Sequence, residues 1–185
     1  MASIIARERL CRASDPPPLP HARIFACSRV AAPFPTPHVV VLANGVEMPF
    51  VNLGGVSSSP SNYTAFLALG GRGIDTALTY GDAVQEKAAA AIKAAAVNVP
   101  RSAIFLTTKV PCCPEAWGTD CRDPEFDKGV AANIALDSAI LGPIDLLLLH
   151  WPCAGAHAVD DTLAAWQRLE AALDAGVTRV RNFSL

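Results

Sequence analysis

From Val39 onward, short apolar runs of strand length alternate with longer segments of helical periodicity, and that alternation limits the fold more than any other feature of the chain. Val39-Val40-Val41-Leu42 leads into Ala43-Asn44-Gly45-Val46, and Asn-Gly predicts a small β-hairpin in which both central residues, Asn44 and Gly45, take positive φ. Strands are then expected over Phe50–Leu53, Gly73–Ala77, Ile104–Val110 and Ile144–Leu149, with a last one near Val177. Between them come helices over Ser61–Leu69, closed by Gly70-Gly71, and over the alanine-rich Gln85–Val97, stopped by Pro100. Asp123-Pro124-Glu125 reads as the start of a third helix, with Phe126, Val130, Ile134 and Leu141 on one apolar face. Asp160 or Asp161 is expected to cap a fourth, which buries Leu163, Trp166, Leu169 and Leu173 and closes at Gly176. Strand–helix alternation of this kind makes a parallel sheet with right-handed crossovers.

Composition supports a folded chain. Of 185 residues, 51% are apolar and 17% charged, which is too apolar for extended disorder. A net charge of −2 supplies no basic stripe for nucleic acid, and no stretch approaches the ~20 apolar residues of a membrane span. The six cysteines, at positions 11, 27, 112, 113, 121 and 153, match no zinc-ligand spacing and are expected to be reduced thiols without chemistry.

Residues 1–38 differ from the rest. They hold seven of the fifteen prolines, five arginines and only two acids, Glu8 and Asp15. Pro16-Pro17-Pro18 cannot sit in a helix interior or a central strand, so a tail is expected there. It resembles an organelle transit segment as much as an ordinary disordered extension or the product of a misassigned start codon. The chain is accordingly expected in the cytoplasm, or in a plastid or mitochondrion if the tail targets it.

Two architectures share the alternation. A doubly wound sheet carries G-x-G-x-x-G after its first strand, and Gly54-Gly55-Val56-Ser57 lacks it. A (β/α) barrel places polar residues at the C-terminal ends of several strands, as this chain does. Asp75 ends one strand with Tyr80 shortly after, Lys109 ends the next, and His150-Trp151-Pro152 follows a third. Asp75 and Lys109 are 34 residues apart and Lys109 and His150 are 41 apart, each about one βα unit, so the four side chains are expected to meet at one barrel mouth. Together they suit proton transfer coupled to carbonyl reduction. A phenol titrates near ~10 and donates poorly at neutral pH unless an ammonium beside it favours its anion. A carboxylate would hold the ammonium, a histidine would orient the carbonyl, and the hydride must come from a nicotinamide.

Several ordered stretches resemble the aldo-keto reductase family, from about Val41 to the end. They are Leu42-Ala43-Asn44-Gly45-Val46-Glu47-Met48-Pro49, Gly73-Ile74-Asp75-Thr76-Ala77 with Tyr80-Gly81, Val99-Pro100-Arg101, Thr107-Thr108-Lys109, and Asp145-Leu146 through His150-Trp151-Pro152. Trp166, Leu169, Glu170 and Gly176 fit the following helix. The resemblance implies an α/β fold, an incomplete (β/α)8 TIM barrel of about four to five βα units preceded by a β-hairpin, over residues 39–185. It implies an NADP-dependent oxidoreductase that reduces small aldehydes or ketones with NADPH, Tyr80 donating the proton with Lys109, Asp75 and His150 assisting. Asp75 and Asn182 would contact the cofactor, His150 and Trp151 the substrate, and no metal is implied.

Departures from the family pattern give the alternative reading. Gly55-Val56-Ser57 replaces the family's Gly-Thr-Trp, Lys87 stands at a common glycine, and the interval after Gly176 is about three residues short, with Arg181 at a serine position. Against the family's eight-stranded barrel, strands six to eight are expected to be absent from this chain. An inactive truncated barrel acting as a binding module, or an incomplete gene model, would show the same pattern, and its open edges would favour self-association. A barrel hydrolase or isomerase using His150 and Asp75 is a remoter reading.

Overall fold

The computed structural model describes residues 38–56, 59–112 and 126–180. Val39–Val41 (β1) pairs antiparallel with Glu47–Pro49 (β2), Val40 opposite Met48. Asn52–Gly54 (β3), Gly73–Asp75 (β4), Phe105–Val110 (β5), Ile144–Leu149 (β6) and Thr178–Val180 (β7) form one parallel sheet in that order. Helices connect its strands: Pro60–Ala68 (α1), Asp82–Ala95 (α2), Phe126–Leu141 (α3) and Ala158–Asp174 (α4). Sequential parallel strands with a helix after each of the first four are the arrangement of an incomplete (β/α)8 barrel, preceded by a hairpin, as the sequence led us to expect.

Local chemistry explains the boundaries. Ser59 caps α1 by accepting from the Asn62 N–H at 3.3 Å, with Pro60 in the first turn, where its missing N–H costs nothing. The expected positive φ at both Asn44 and Gly45 is corrected. Only Gly45 has it, at +81°, in a three-residue loop where Gly45 N–H donates to Leu42 C=O at 2.8 Å and Leu42 N–H to Val46 C=O at 2.9 Å. The cap of α4 is corrected too. The helix starts earlier, at Ala158 after His157, which leaves Asp160 and Asp161 in its first turn near the positive end of the helix dipole. Its buried residues are Ala165, Leu169 and Ala172, whereas Leu163 is 55% exposed, so the core-facing stripe lies to one side of the expected one. The Asp123-Pro124-Glu125 start and the tail up to residue 37 lie outside the described residues.

The two faces of the sheet do different work because side chains alternate along a strand. One face packs on the helices: Ile74 and Leu106 with Tyr63, Leu67, Ala88 and Ile92, and Val110, Leu147 and Leu149 with Val130, Ile134, Ala165 and Leu169. On the other, Phe105 and Leu146 are covered by Leu42, Val46 and Met48 of the hairpin. The hairpin therefore closes the interior at the N-terminal ends of the strands. The same phase carries Thr107 and Lys109 onward from Phe105, and Leu148 and His150 onward from Leu146, to the opposite end.

Cys112, just past β5, and Cys153, just past β6, form a disulfide with Cα atoms 5.2 Å apart, although 41 positions separate them in sequence. The expectation of reduced, idle thiols is corrected at this pair. Neighbouring parallel strands bring their ends within disulfide reach, a proximity no cysteine spacing announces. Among the described residues, no helix is long and apolar enough to cross a membrane.

Candidate active site at the C-terminal ends of the strands

Three adjacent strands each end on a polar side chain. Asp75 closes β4, Lys109 is the next-to-last residue of β5, and His150 follows β6 with its N–H on Val110 C=O at 2.9 Å. Lys109 pairs in register with Leu148, and Asp75 with Thr107, one inward position back, so the long lysine reaches sideways across the sheet. Its Nζ forms an ion pair with Asp75 Oδ1 and donates to Thr76 C=O at 2.9 Å. Both donations fix the ammonium in place.

Tyr80 arrives on a single 3-10 turn, Leu78–Tyr80, held by Tyr80 N–H to Ala77 C=O and Gly81 N–H to Leu78 C=O, each 3.0 Å. Gly81 then takes φ +91° to enter α2, a conformation a side chain would strain. The Lys109 ammonium sits 5.7 Å from the Tyr80 ring centroid, and the His150 ring meets Tyr80 edge-on at 5.9 Å between centroids. Trp151 lies against His150, centroids 4.2 Å apart. The structure thus brings Asp75, Tyr80, Lys109, His150 and Trp151 into one cluster. Asn182 lies outside the described residues.

Electrostatics at the cluster favour a neutral imidazole. Burial lowers the pKa of His150, the Lys109 ammonium lowers it further, and Asp75 opposes both. Behind the sheet runs a buried polar network. Thr76 donates to Gln85 Oε1, Gln85 Nε2 donates to Asp137 and to Thr108 Oγ1 (3.2 Å), and Thr108 donates to Asp137 Oδ2 at 2.5 Å. This network joins α2 and α3 to Thr76, just past β4, whose carbonyl receives Lys109. Desolvation raises the Asp137 pKa from 3.8 to about 6, against the pull of its two hydrogen bonds and with help from Asp82. The native state therefore binds a proton that the unfolded chain has released, and stability falls as pH rises from about 4 to 6. Each pH unit of separation is worth about 1.4 kcal/mol, so the fall is about 3 kcal/mol. Urea midpoints measured across that range check it, and Asp137→Asn is expected to flatten the profile.

Two residues escaped the sequence reading. Thr79, whose Oγ1 lies 2.9 Å from His150 Nδ1, neighbours it because the turn after β4 meets the residue that follows β6, 71 residues away in sequence. Gly55 is the other. A Cβ there would stand 2.9 Å from Tyr63 Oη, 3.0 Å from Thr76 Oγ1 and 3.1 Å from the Asp75 carbonyl oxygen, so only glycine lets β3 approach the Asp75 backbone this closely. The Gly-Gly pair was a visible signal, but not the reason for it.

A nicotinamide dinucleotide partly fits the donor set. Asp75 gives one oxygen to Lys109 and is 34% exposed, leaving acceptor capacity for a ribose hydroxyl. Arg72 and Arg101 are engaged at the other ends of the strands, on carbonyls of Leu67, Gly71 and Ile104, so they serve no phosphate at this mouth. A groove of about 770 Å³ lined by Val39, Phe50, Val51, Phe66 and Leu69 includes none of the clustered residues.

A family model described as the aldo/keto reductase family matches residues 59–184. An aldo-keto reductase of Mycobacterium ulcerans is 34% identical over 160 residues, 83% of this chain and 51% of its own length. The methylglyoxal reductase DkgA of Escherichia coli is 35% identical over 135 residues, 71% of this chain and 43% of its own. Among solved structures, an aldo-keto reductase from a Medee basin deep-sea metagenome superposes with a TM-score of 0.61 at 32% identity, over 78% of this chain and 48% of that one. A Bombyx mori aldo-keto reductase in complex with NADP gives 0.60 at 28% identity, over 80% and 50%. The chain spans about half the length of these relatives.

Proposed function

Because the chain belongs to the aldo/keto reductase family, we propose that its mouth cluster serves the NADPH-dependent reduction of a small aldehyde or ketone to an alcohol. The observation that carries this reading is the Lys109 ammonium, pinned by Asp75 and Thr76 C=O and set over the Tyr80 ring. When bound, the nicotinamide supplies the hydride, which side chains cannot provide. Tyr80 Oη gives its proton to the carbonyl oxygen as that oxygen gains charge. The phenolate left behind is stabilised by Lys109, whose own charge is held by Asp75. His150, neutral, donates to the same oxygen and orients the carbonyl, while Trp151 flanks it. Asp75 would also hold the ribose, and Asn182 the nicotinamide amide. An aromatic aldehyde is the probe substrate. The chain should consume NADPH only when the aldehyde is present, and absence of both turnover and NADPH binding would overturn the proposal.

A second reading, a non-catalytic barrel half that serves as a binding module, is favoured by the strand order. Among the described residues β3 and β7 are the outer strands of the sheet, and the chain spans about half the length of the relatives it matches. Self-association through those edges belongs to this reading. Titrating the purified chain with NADPH separates the two. Tight binding at micromolar concentration supports the reductase, and its absence supports the module.

A further inference from the structure

The proton donor Tyr80 and the threonine before it share one turn, and that turn faces His150 with both side chains. Thr79 Oγ1 lies 2.9 Å from His150 Nδ1, and Tyr80 presents its ring to the same imidazole. We propose that Thr79 is a positioning residue whose hydroxyl donates to Nδ1 and fixes His150 as the neutral tautomer with its proton on Nε2. This rests on the carbonyl-reductase reading, since only that chemistry requires a donor at Nε2.

The argument is one of hydrogen-bond inventory. A neutral imidazole has one N–H and one bare nitrogen, and which is which follows from the partner each finds. To polarise a carbonyl oxygen the nitrogen facing it must carry the hydrogen, so Nδ1 must be the acceptor. A threonine hydroxyl can donate there, whereas a carbonyl or carboxylate at that point would demand the opposite tautomer. The placement is rigid on both sides. Thr79 sits inside the 3-10 turn closed by the Ala77 and Leu78 carbonyls, and His150 is tied by its N–H to β5 and lies against Trp151. Burial and Lys109 disfavour the imidazolium, so the ring is neutral when the hydroxyl acts on it.

The test reads the tautomer directly and needs no turnover. The chain is labelled at its histidine nitrogens, and His150 is assigned in a two-bond proton–nitrogen correlation spectrum by comparison with His150→Gln. The expected spectrum shows a protonated Nε2 and a bare Nδ1 displaced by an accepted hydrogen bond. Thr79→Val, nearly isosteric, is expected to return Nδ1 to the position of a free bare nitrogen, and Thr79→Ser to restore the displacement. Thr79→Ala is a second hydroxyl-free variant should Val disturb the turn. In the aldehyde assay the Val variant is expected to lose about fivefold in kcat with little change in KM, and Ser to recover it. A proton on Nδ1 in the parent chain, or a His150 spectrum indifferent to loss of the hydroxyl, would overturn the proposal. A chain with no aldehyde turnover but with the expected spectrum would instead overturn the reductase reading and leave Thr79 as the tautomer-setting group.

Discussion

Tyr80→Phe is expected to lower NADPH-linked aldehyde reduction by about 10²- to 10⁴-fold, the range for loss of a positioned general acid. The substitution removes one oxygen and leaves the ring that meets His150 at 5.9 Å and lies below the Lys109 ammonium, so packing survives and only the proton is lost. Lys109→Met makes a matched comparison. It keeps the length of the side chain but removes the charge that would stabilise the phenolate, and it leaves Asp75 without its ion-pair partner. A comparable loss of kcat is expected, with the thermal midpoint little changed because Asp75 is 34% exposed and water replaces the ammonium. Steady-state rates with an aromatic aldehyde at saturating NADPH measure both. If either variant turned over at the parent rate, the role assigned to the phenol–ammonium pair would be wrong.

Among substitutions, the largest expected effect on stability belongs to a residue outside the site. Asp145, at the start of β6, is only 3% exposed at its side chain, yet carries a carboxylate. Oδ2 accepts from Arg101 Nη2 at 2.7 Å and from the Leu106 N–H of β5 at 2.9 Å. Arg101 in turn donates to the Ile104 carbonyl at 2.6 Å and to that of Pro143. One carboxylate thus ties the turn before β5 to the start of β6. Asp145→Ala leaves the Leu106 N–H without this acceptor and the guanidinium without its counter-charge, and breaking a buried pair costs about 3–5 kcal/mol. The lower figure, about 3 kcal/mol, is expected because Arg101 is 25% exposed and can turn to water. Against a total of about 5–15 kcal/mol for a domain, that shifts a urea midpoint far. Asp145→Asn keeps an acceptor for Leu106 and is expected to cost about 1–2 kcal/mol. Equal midpoints for parent and Ala variant would show that the pair carries no net stability.

Much of the architecture was legible because strands and helices are short-range patterns. Ile144–Leu149 matches its strand at both ends, since a run apolar but for Asp145 and bounded by Pro143 and His150 permits little else. The α3 face of Val130, Ile134 and Leu141 is buried as its spacing predicts. Errors fell where local signals competed. The aspartates at 160 and 161 suit a cap as well as a first turn, and the structure places them in the first turn.

The sequence by itself determined the phase of the sheet. Alternation along β4, β5 and β6 puts Asp75, Lys109 and His150 at the same end on the inward side, and the turn after β4 delivers Tyr80 there. Tertiary structure alone decided which neighbours each group acquired. Thr79 came to His150 across 71 residues, Cys112 to Cys153 across 41, and Asp137 to Thr108 and Gln85 behind the site. Contacts within a strand or helix turn repeat with a period the sequence displays. Contacts between elements depend on how the strands are ordered and staggered, for which single residues leave no periodic trace.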